Sequence, residues 1–304
     1  MRGRQAARIL HQETIAVSQL TDFDLDQDGK IDLHAVYDRP DPRAYYQTLA
    51  AFDYRIPAAA EPLFRRTIRA FRRARRRSNA TLLDVGSSYG VNAAILKHRY
   101  SLPALFDIYG RDATEGIATD KLLTRDRALF GNGRGDDSLL TIGLDTSLEA
   151  IAYANKAGII DRGIATNLEE RALAPEEAAA LASVDLVLST GAIGYVGAPT
   201  FNRILDASRN RPWFAVFALR MFPVARIVSA LRNRGYAVFK LDGETFRQRR
   251  FANRQESGEV LARLDELGVD PAGRESDGWL HAEFFLARPE GEPSGMSLPG
   301  LRPI

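Results

Sequence analysis

Cysteine is absent from this 304-residue chain. That excludes disulfide scaffolds, cysteine-ligated zinc or iron–sulfur sites, and thiol nucleophiles. Lysine is scarce: of 41 basic residues only Lys30, Lys97, Lys121, Lys156 and Lys240 are lysine, leaving 36 arginines. Four histidines (His11, His34, His98 and His281) form no HExxH or two-histidine, one-carboxylate spacing, so no catalytic metal is expected. No apolar run reaches the ~18 residues of a spanning helix, and the stretch Trp213 to Phe222 is broken by Arg220. The basic start, MRGRQAARIL, carries no apolar segment of signal-peptide length. A cytoplasmic protein with no membrane partner is the expectation.

What is present describes a globular chain: 45% hydrophobic residues, 26% charged and a net charge of +2. Residues 1–78 read as a mainly helical N-terminal cap. They hold an acidic loop (TDFDLDQDGKID), a proline-broken connector and a basic helix with eight arginines from Arg65 to Arg77. Its apolar residues Leu63, Phe64, Ile68 and Phe71 fall at helical spacing, which predicts a solvated arginine face over a packed stripe. The acidic loop imitates a calcium loop at Asp24, Asp26, Asp28, Gly29 and Asp32. Its twelfth position is Ala35 where a bidentate Glu belongs, so an acidic turn is expected.

From Thr81 the pattern changes to short apolar runs alternating with helical segments: TLLDVG, LLTIGLD, DLVLST and WFAVFALRM, each followed by a helix. That alternation predicts βαβ units around a parallel sheet covered on both faces. A final pair, AVFKLDG and WLHAEFFLARP, lacks a crossover helix immediately before its second member, which fits an antiparallel strand. The predicted fold is α/β: a Rossmann-like, doubly wound, mostly parallel seven-stranded sheet with an antiparallel last strand and the helical appendage. Its domain spans 79–290, with 98–138 as an insert able to act as a lid and 291–304 as a flexible tail.

The sharpest motif is TLLDVGSSYGVNAAIL, a buried-type strand ending in Asp84, a turn carrying Gly86 and Gly90, and a helix starting near Val91. Such a junction brings backbone N–H groups and a helix N-terminus close to a ligand. Asp145, at the tip of the second strand, is placed to accept hydrogen bonds from ribose hydroxyls. Asn167 follows a short third strand, and Ser189, Thr190 and Gly191 end the fourth. All of these fall at the carboxyl edge of one parallel sheet, where open α/β folds bind ligands.

Over about Thr81 to Pro289 the chain resembles the class I S-adenosylmethionine-dependent methyltransferases. Asp84, Gly86 and Gly90 match that family's first motif, with Ser88 in place of its middle glycine. The resemblance implies a cofactor site of Asp84, Gly86, Ser87, Ser88, Tyr89, Gly90, Asp145, Thr146, Asn167, Leu168, Ser189, Thr190 and Gly191. It gives the ribose to Asp145 and the adenine to Asn167 with Leu168. Gly90 to Asp145 spans 55 residues, where a nicotinamide fold places its acid about 20 residues on, and GxGxxG is absent.

Around this site Tyr46, Tyr109, Arg247 and Arg249 are expected to contact the acceptor, the arginines through a carboxylate or phosphate. His281 and Tyr195 are the candidate catalytic groups. The expected activity is transfer of a methyl group from S-adenosyl-L-methionine to O or N of a small molecule, by a chain able to form a homodimer. Binding of that cofactor without transfer is the alternative, and a nicotinamide-dependent oxidoreductase the next. STGAIGY after the fourth strand lacks the Pro-Pro-aromatic motif of nucleic-acid amino methyltransferases, so no nucleic-acid partner is expected.

Overall fold

A computed structural model describes residues 24–27, 29–133, 135–293 and 298–304, and the backbone alone of His34. One mixed sheet organises it. Strands β1 (Ala80–Val85), β2 (Leu139–Asp145), β3 (Arg162–Ala165), β4 (Leu186–Ile193) and β5 (Trp213–Leu219) are parallel. β6 (Tyr236–Leu241) and β8 (Trp279–Pro289) complete the order β3-β2-β1-β4-β5-β8-β6, with β8 antiparallel to both neighbours. This is the seven-stranded arrangement the apolar runs predict.

Two short strands are additions. β7 (Phe246–Arg250) pairs β8 on the same edge as β6, so β6 and β7 lie end to end along one partner. β9 (Leu301–Pro303) pairs β6 from outside. The tail end is thus a strand rather than a loose segment, because β6 would otherwise present an open edge and Leu301 finds partly buried packing on the core.

The strands form where they do because they are buried on both faces. Every residue of β1 and β5 is buried, including Phe214 and Phe217, each worth ~1.5–3 kcal/mol of apolar burial. Ahead of the sheet come α1 (His34–Tyr37), α2 (Arg43–Ala51) and the basic helix α3 (Ile56–Arg75). The α3 helix packs Ile56, Ala60, Leu63, Phe64, Ile68 and Phe71 on the face carrying Leu82, Leu188 and Phe217. It stops at Arg76 in the left-handed region (φ 52°), where the Arg77 N–H reaches back to the Arg72 carbonyl. The opposite face is covered by α9 (Pro175–Leu181), α10 (Ala198–Ala207) and α11 (Ala225–Asn233).

The remaining helices are α4 (Val91–Leu96), α5 (Leu102–Tyr109), α6 (Arg111–Thr114), α7 (Thr119–Phe130), α8 (Leu148–Lys156) and α12 (Arg254–Glu266). The 98–138 insert and residues 31–52 share one hydrophobic cluster with α4 and α8, built on Tyr45, Tyr46, Tyr89, Leu105, Tyr109 and Tyr153. The buried Asp126 carboxylate accepts hydrogen bonds from the Tyr109 and Tyr153 hydroxyls at 2.8 and 2.7 Å and ties that layer together. No helix among the described residues is long and apolar enough to cross a membrane.

Candidate active site

The carboxyl ends of β1, β2 and β4 lie side by side at one edge of the sheet, the candidate binding crevice. Gly86 opens the β1–α4 turn at φ +75°, and a Cβ there would stand 2.5 Å from the Ala192 Cβ on β4, so only glycine lets the two strand tips approach. Two N–H groups of the turn, from Gly86 and Ser87, donate to the Leu144 carbonyl on β2. Asp145 then accepts the Ser88 N–H on Oδ2 at 2.8 Å and the Ser147 N–H on Oδ1 at 3.0 Å. Each of its oxygens keeps a second lone pair.

Asp84 is buried at the tip of β1. Its Oδ1 accepts from Asn92 Nδ2 at 2.9 Å, and the same amide reaches Thr190 Oγ1 at 3.2 Å. The Tyr54 hydroxyl lies beside Thr190 and Tyr45, which brings the N-terminal helices up to this wall. Burial pushes the Asp84 carboxyl up to about 7, the Asn92 hydrogen bond opposes that rise, and the charge on Asp145 adds to it. Asp84 Oδ2, Ser87 Oγ, Ser88 Oγ and Ser189 Oγ are all buried without a hydrogen-bond partner among the described residues. Each such group costs about 1–3 kcal/mol, and four of them stand on adjacent strand tips and the turn between them.

Residues 24–39 run as a strap over this edge. The Tyr195 hydroxyl donates to Asp26 Oδ2, and Lys30 Nζ lies 4.5 Å from the Tyr195 ring centroid and 5.6 Å from that of Phe222. Farther along, the Ile31 N–H donates to Glu256 Oε1 at 2.9 Å, and Ser147 Oγ donates to the Tyr37 carbonyl at 3.1 Å. Arg39 exchanges two hydrogen bonds with the Tyr89 hydroxyl. Tyr37 sits close enough to Arg249 and Asp145 to feel both charges; burial pushes its hydroxyl up to about 12, the Arg249 charge opposes this and Asp145 adds to it. Of the acidic-loop positions, Asp28 lies outside the described residues, and Asp26 spends its carboxylate on the Lys30 N–H and Tyr195. No cluster of acidic and histidine side chains among the described residues is placed to hold a metal ion.

Several expected residues do line this edge: Asp84, Gly86, Ser87, Ser88, Asp145, Ser189, Thr190 and Gly191. Thr146 follows on the exposed side. Others have different work. At Gly90 a Cβ would meet Ile159, Ile160 and Ala154, so that glycine serves helix packing. Tyr89 is wholly buried and faces the strap. Asn167 spends its side-chain oxygen on the Glu169 N–H at 3.0 Å, and Leu168 is a core residue.

The acceptor contacts expected of Tyr46, Tyr109 and Arg249 are not what these side chains make. Tyr46 and Tyr109 stack on each other at 4.6 Å inside the helical layer, because two large aromatic faces there exclude water from the Asp126 cluster. Arg249 forms a bidentate ion pair with Glu256, 4% and 0% exposed, that joins β7 to α12. His281 hydrogen-bonds Thr245 Oγ1 through Nδ1 at 2.9 Å, and burial together with Arg247, Arg220 and Arg274 holds its imidazolium down at about 4. It is neutral at ordinary pH.

Asn92, Tyr54, Tyr37 and Gln248 were not singled out by their sequence context. For Asn92 the signal was there: it is the one polar residue of VNAAIL, a segment otherwise apolar from end to end.

No protein-family model matches the chain, and a search of curated proteins finds no relative. Solved structures give remote likenesses. The plantazolicin methyltransferase BamL, crystallised with SAH and a triazolic desmethylPZN analogue, is 12% identical over 91% of this chain and 98% of its own, with a TM-score of 0.43. A methyltransferase from Geobacter sulfurreducens bound to S-adenosyl-L-homocysteine is 15% identical over 82% and 99%, at 0.37. The [4+2]-cyclase SpnF is 12% identical over 75% and 81%, at 0.38. Likenesses this remote carry no weight for function, and the fold rests on strand order and register. On those grounds, with its antiparallel strand set between β5 and β6, the chain has the Rossmann-like fold of the class I methyltransferases.

Proposed function

We propose that the crevice binds S-adenosyl-L-methionine and that the chain transfers its methyl group to O or N of a small-molecule acceptor. The observation that carries this reading is the group of unpartnered, buried polar atoms on Asp84, Ser87, Ser88 and Ser189, beside the two strand-tip carboxylates. Buried polar groups without partners call for a polar ligand. Asp84 and Ser189 would hold the amino-acid end of the cofactor, and Asp145 would take the ribose hydroxyls on its free lone pairs.

When bound, the sulfonium supplies an electrophilic methyl, so the hard chemistry belongs to the cofactor. The chain's own part is alignment and exclusion of water. Gly86 and Ala192 set the distance between the β1 and β4 tips. Asn92 holds Asp84 and Thr190 in one register, and Tyr54 extends that wall. The strap, through Tyr37, Lys30 and Ile31, shields the crevice from solvent. Neither His281 nor Tyr195 is assigned as a base: the acceptor atom attacks in line through a free lone pair, the thioether leaves, and a proton carried by an O–H or N–H acceptor passes to water.

The strap also favours a second reading, in which the chain binds the cofactor or its demethylated product without transfer, because the buried Tyr37 hydroxyl lies close enough to Asp145 to feel its charge. The test has two stages. S-adenosylhomocysteine at 100 times its Kd stabilises by ~2.7 kcal/mol, a rise of about 4 °C in Tm for a chain of this size. NAD(H) and NADP(H) give none. Asp145→Ala, still folded, loses that shift. Labelled methyl transfer to a panel of amines, phenols and carboxylates then separates the two readings. A wild-type chain with no shift removes both.

A further inference from the structure

Trp279 opens β8 at the carboxyl edge and is 3% exposed, and three cations stand around its ring. The guanidinium carbons of Arg55, Arg247 and Arg250 stand 4.8, 4.8 and 4.4 Å from its ring centroid. All three arginines are exposed. A guanidinium lying on an indole uses its face for the ring and keeps its N–H edge for a planar or tetrahedral oxyanion.

The charges are not balanced. Asp53 pairs with Arg55 at 2.6 Å and approaches Arg250 at 3.8 Å, one carboxylate between two guanidiniums. The Arg247 side chain has no hydrogen bond or ion pair among the described residues. Arg274, whose Nε reaches Thr245, adds a further positive charge on the His281 side. Three like charges around one ring repel one another, and an anion between them removes that cost.

The cluster is built into the crevice rim. Arg250 donates its N–H to the Phe52 carbonyl at 2.8 Å, and Arg55 donates its N–H to the Gln248 carbonyl at 2.7 Å, so β7 and the start of α3 are fastened together. Gln248 is itself buried, with Oε1 unpartnered and Nε2 3.0 Å from where a Cβ on Gly191 would be. One residue of β7 therefore faces the end of β4 while its neighbours carry the cations.

We infer that Arg55, Arg247 and Arg250, stacked around Trp279, form a subsite for an oxyanion, the phosphate or carboxylate end of the methyl acceptor. That the anion belongs to an acceptor rests on the methyl-transfer reading; the anion site does not. The acceptor class is then a small anionic molecule whose nucleophilic atom lies past Gln248, in the direction of Gly191.

The test is calorimetric titration of the full chain with pyrophosphate and, separately, with malonate, in wild type, Arg247→Gln and the double variant Arg247→Gln/Arg250→Gln. Folding of each is checked by its melting curve, and Arg247→Lys, which keeps the charge and loses the planar fork, is run beside them. Pyrophosphate or malonate should bind the wild type, and whichever binds names the oxyanion. Arg247→Gln should weaken it about tenfold, the double variant more, and Arg247→Lys by an intermediate factor. S-adenosylhomocysteine affinity should be the same in all four proteins. Failure of both anions to bind wild type, or binding indifferent to all three variants, overturns the site. Anion binding that behaves as expected in a chain that ignores S-adenosylhomocysteine keeps the site and removes the methyl-transfer reading. Tighter binding of a short single-stranded oligonucleotide, lost in the same variants, overturns the assignment to a small acceptor.

Discussion

Asp84→Asn tests the electrostatics of the crevice most directly. The wild-type carboxyl is moved from its ordinary 3.8 up to about 7, chiefly by burial. Between those values the folded chain keeps a proton that the unfolded chain releases, so stability falls as pH rises across that window. At about 1.4 kcal/mol per pH unit the full penalty is ~4 kcal/mol, complete above pH 7 and absent below 3.8. An asparagine is neutral throughout and still offers its oxygen to Asn92. The stability of the variant minus that of wild type should therefore grow from near zero at pH 4 to a few kcal/mol at pH 8, a ceiling of about 6 °C in Tm. The variant should also bind S-adenosylhomocysteine more weakly, having lost the charge that faces a cationic amine. Melting curves of both proteins from pH 4 to pH 8 decide it. A difference that is constant with pH, or that shrinks as pH rises, would refute the assignment of that charge to a dry, unpartnered site.

Three other substitutions bear on different parts of the molecule. Gly86→Ala puts a methyl 2.5 Å from Ala192 at a positive φ; denaturant titration should show a loss of ~1–3 kcal/mol and calorimetry no remaining cofactor affinity. Glu256→Gln leaves the buried Arg249 charge uncompensated and should cost ~3–5 kcal/mol, whereas replacing both residues by methionine should recover most of that; an equal loss in single and double variants would argue against the pair. His281 is lowered to about 4, so between there and its ordinary 6.5 the unfolded chain binds the extra proton and stability falls on acidification. His281→Gln should flatten that acid limb while leaving the pH profile of activity from 6 to 9 unchanged, and a shifted profile would restore His281 as a catalytic base.

The sheet was legible because strands buried on both faces read as continuous apolar runs, and because LLTIGLD and TLLDVG end in acids at their tips. The strand-tip residues of the crevice followed from that alone. What sequence pattern could not place were the parts that depend on irregular pairing. On β7 the register shifts between Arg247 and Arg250, so Gln248 and Arg249 are both buried although they are adjacent. A strict alternation would have sent one of them to solvent, and it was Arg249, not Gln248, that looked like a ligand contact. Tyr37, Tyr45 and Tyr54 sit in a polar, proline-broken connector, where nothing in the spacing says they close over a sheet edge 30 residues or more downstream. The strand Leu301–Pro303 is too short to show a period at all.

The strap fastened by Asp26, Ile31, Tyr37 and Arg39 has a kinetic corollary. If the crevice binds the proposed cofactor, its exchange should wait on the segment letting go and depend only secondarily on diffusion. A chain trimmed to begin after residue 39 should therefore load and unload faster, holding its occupant for less time.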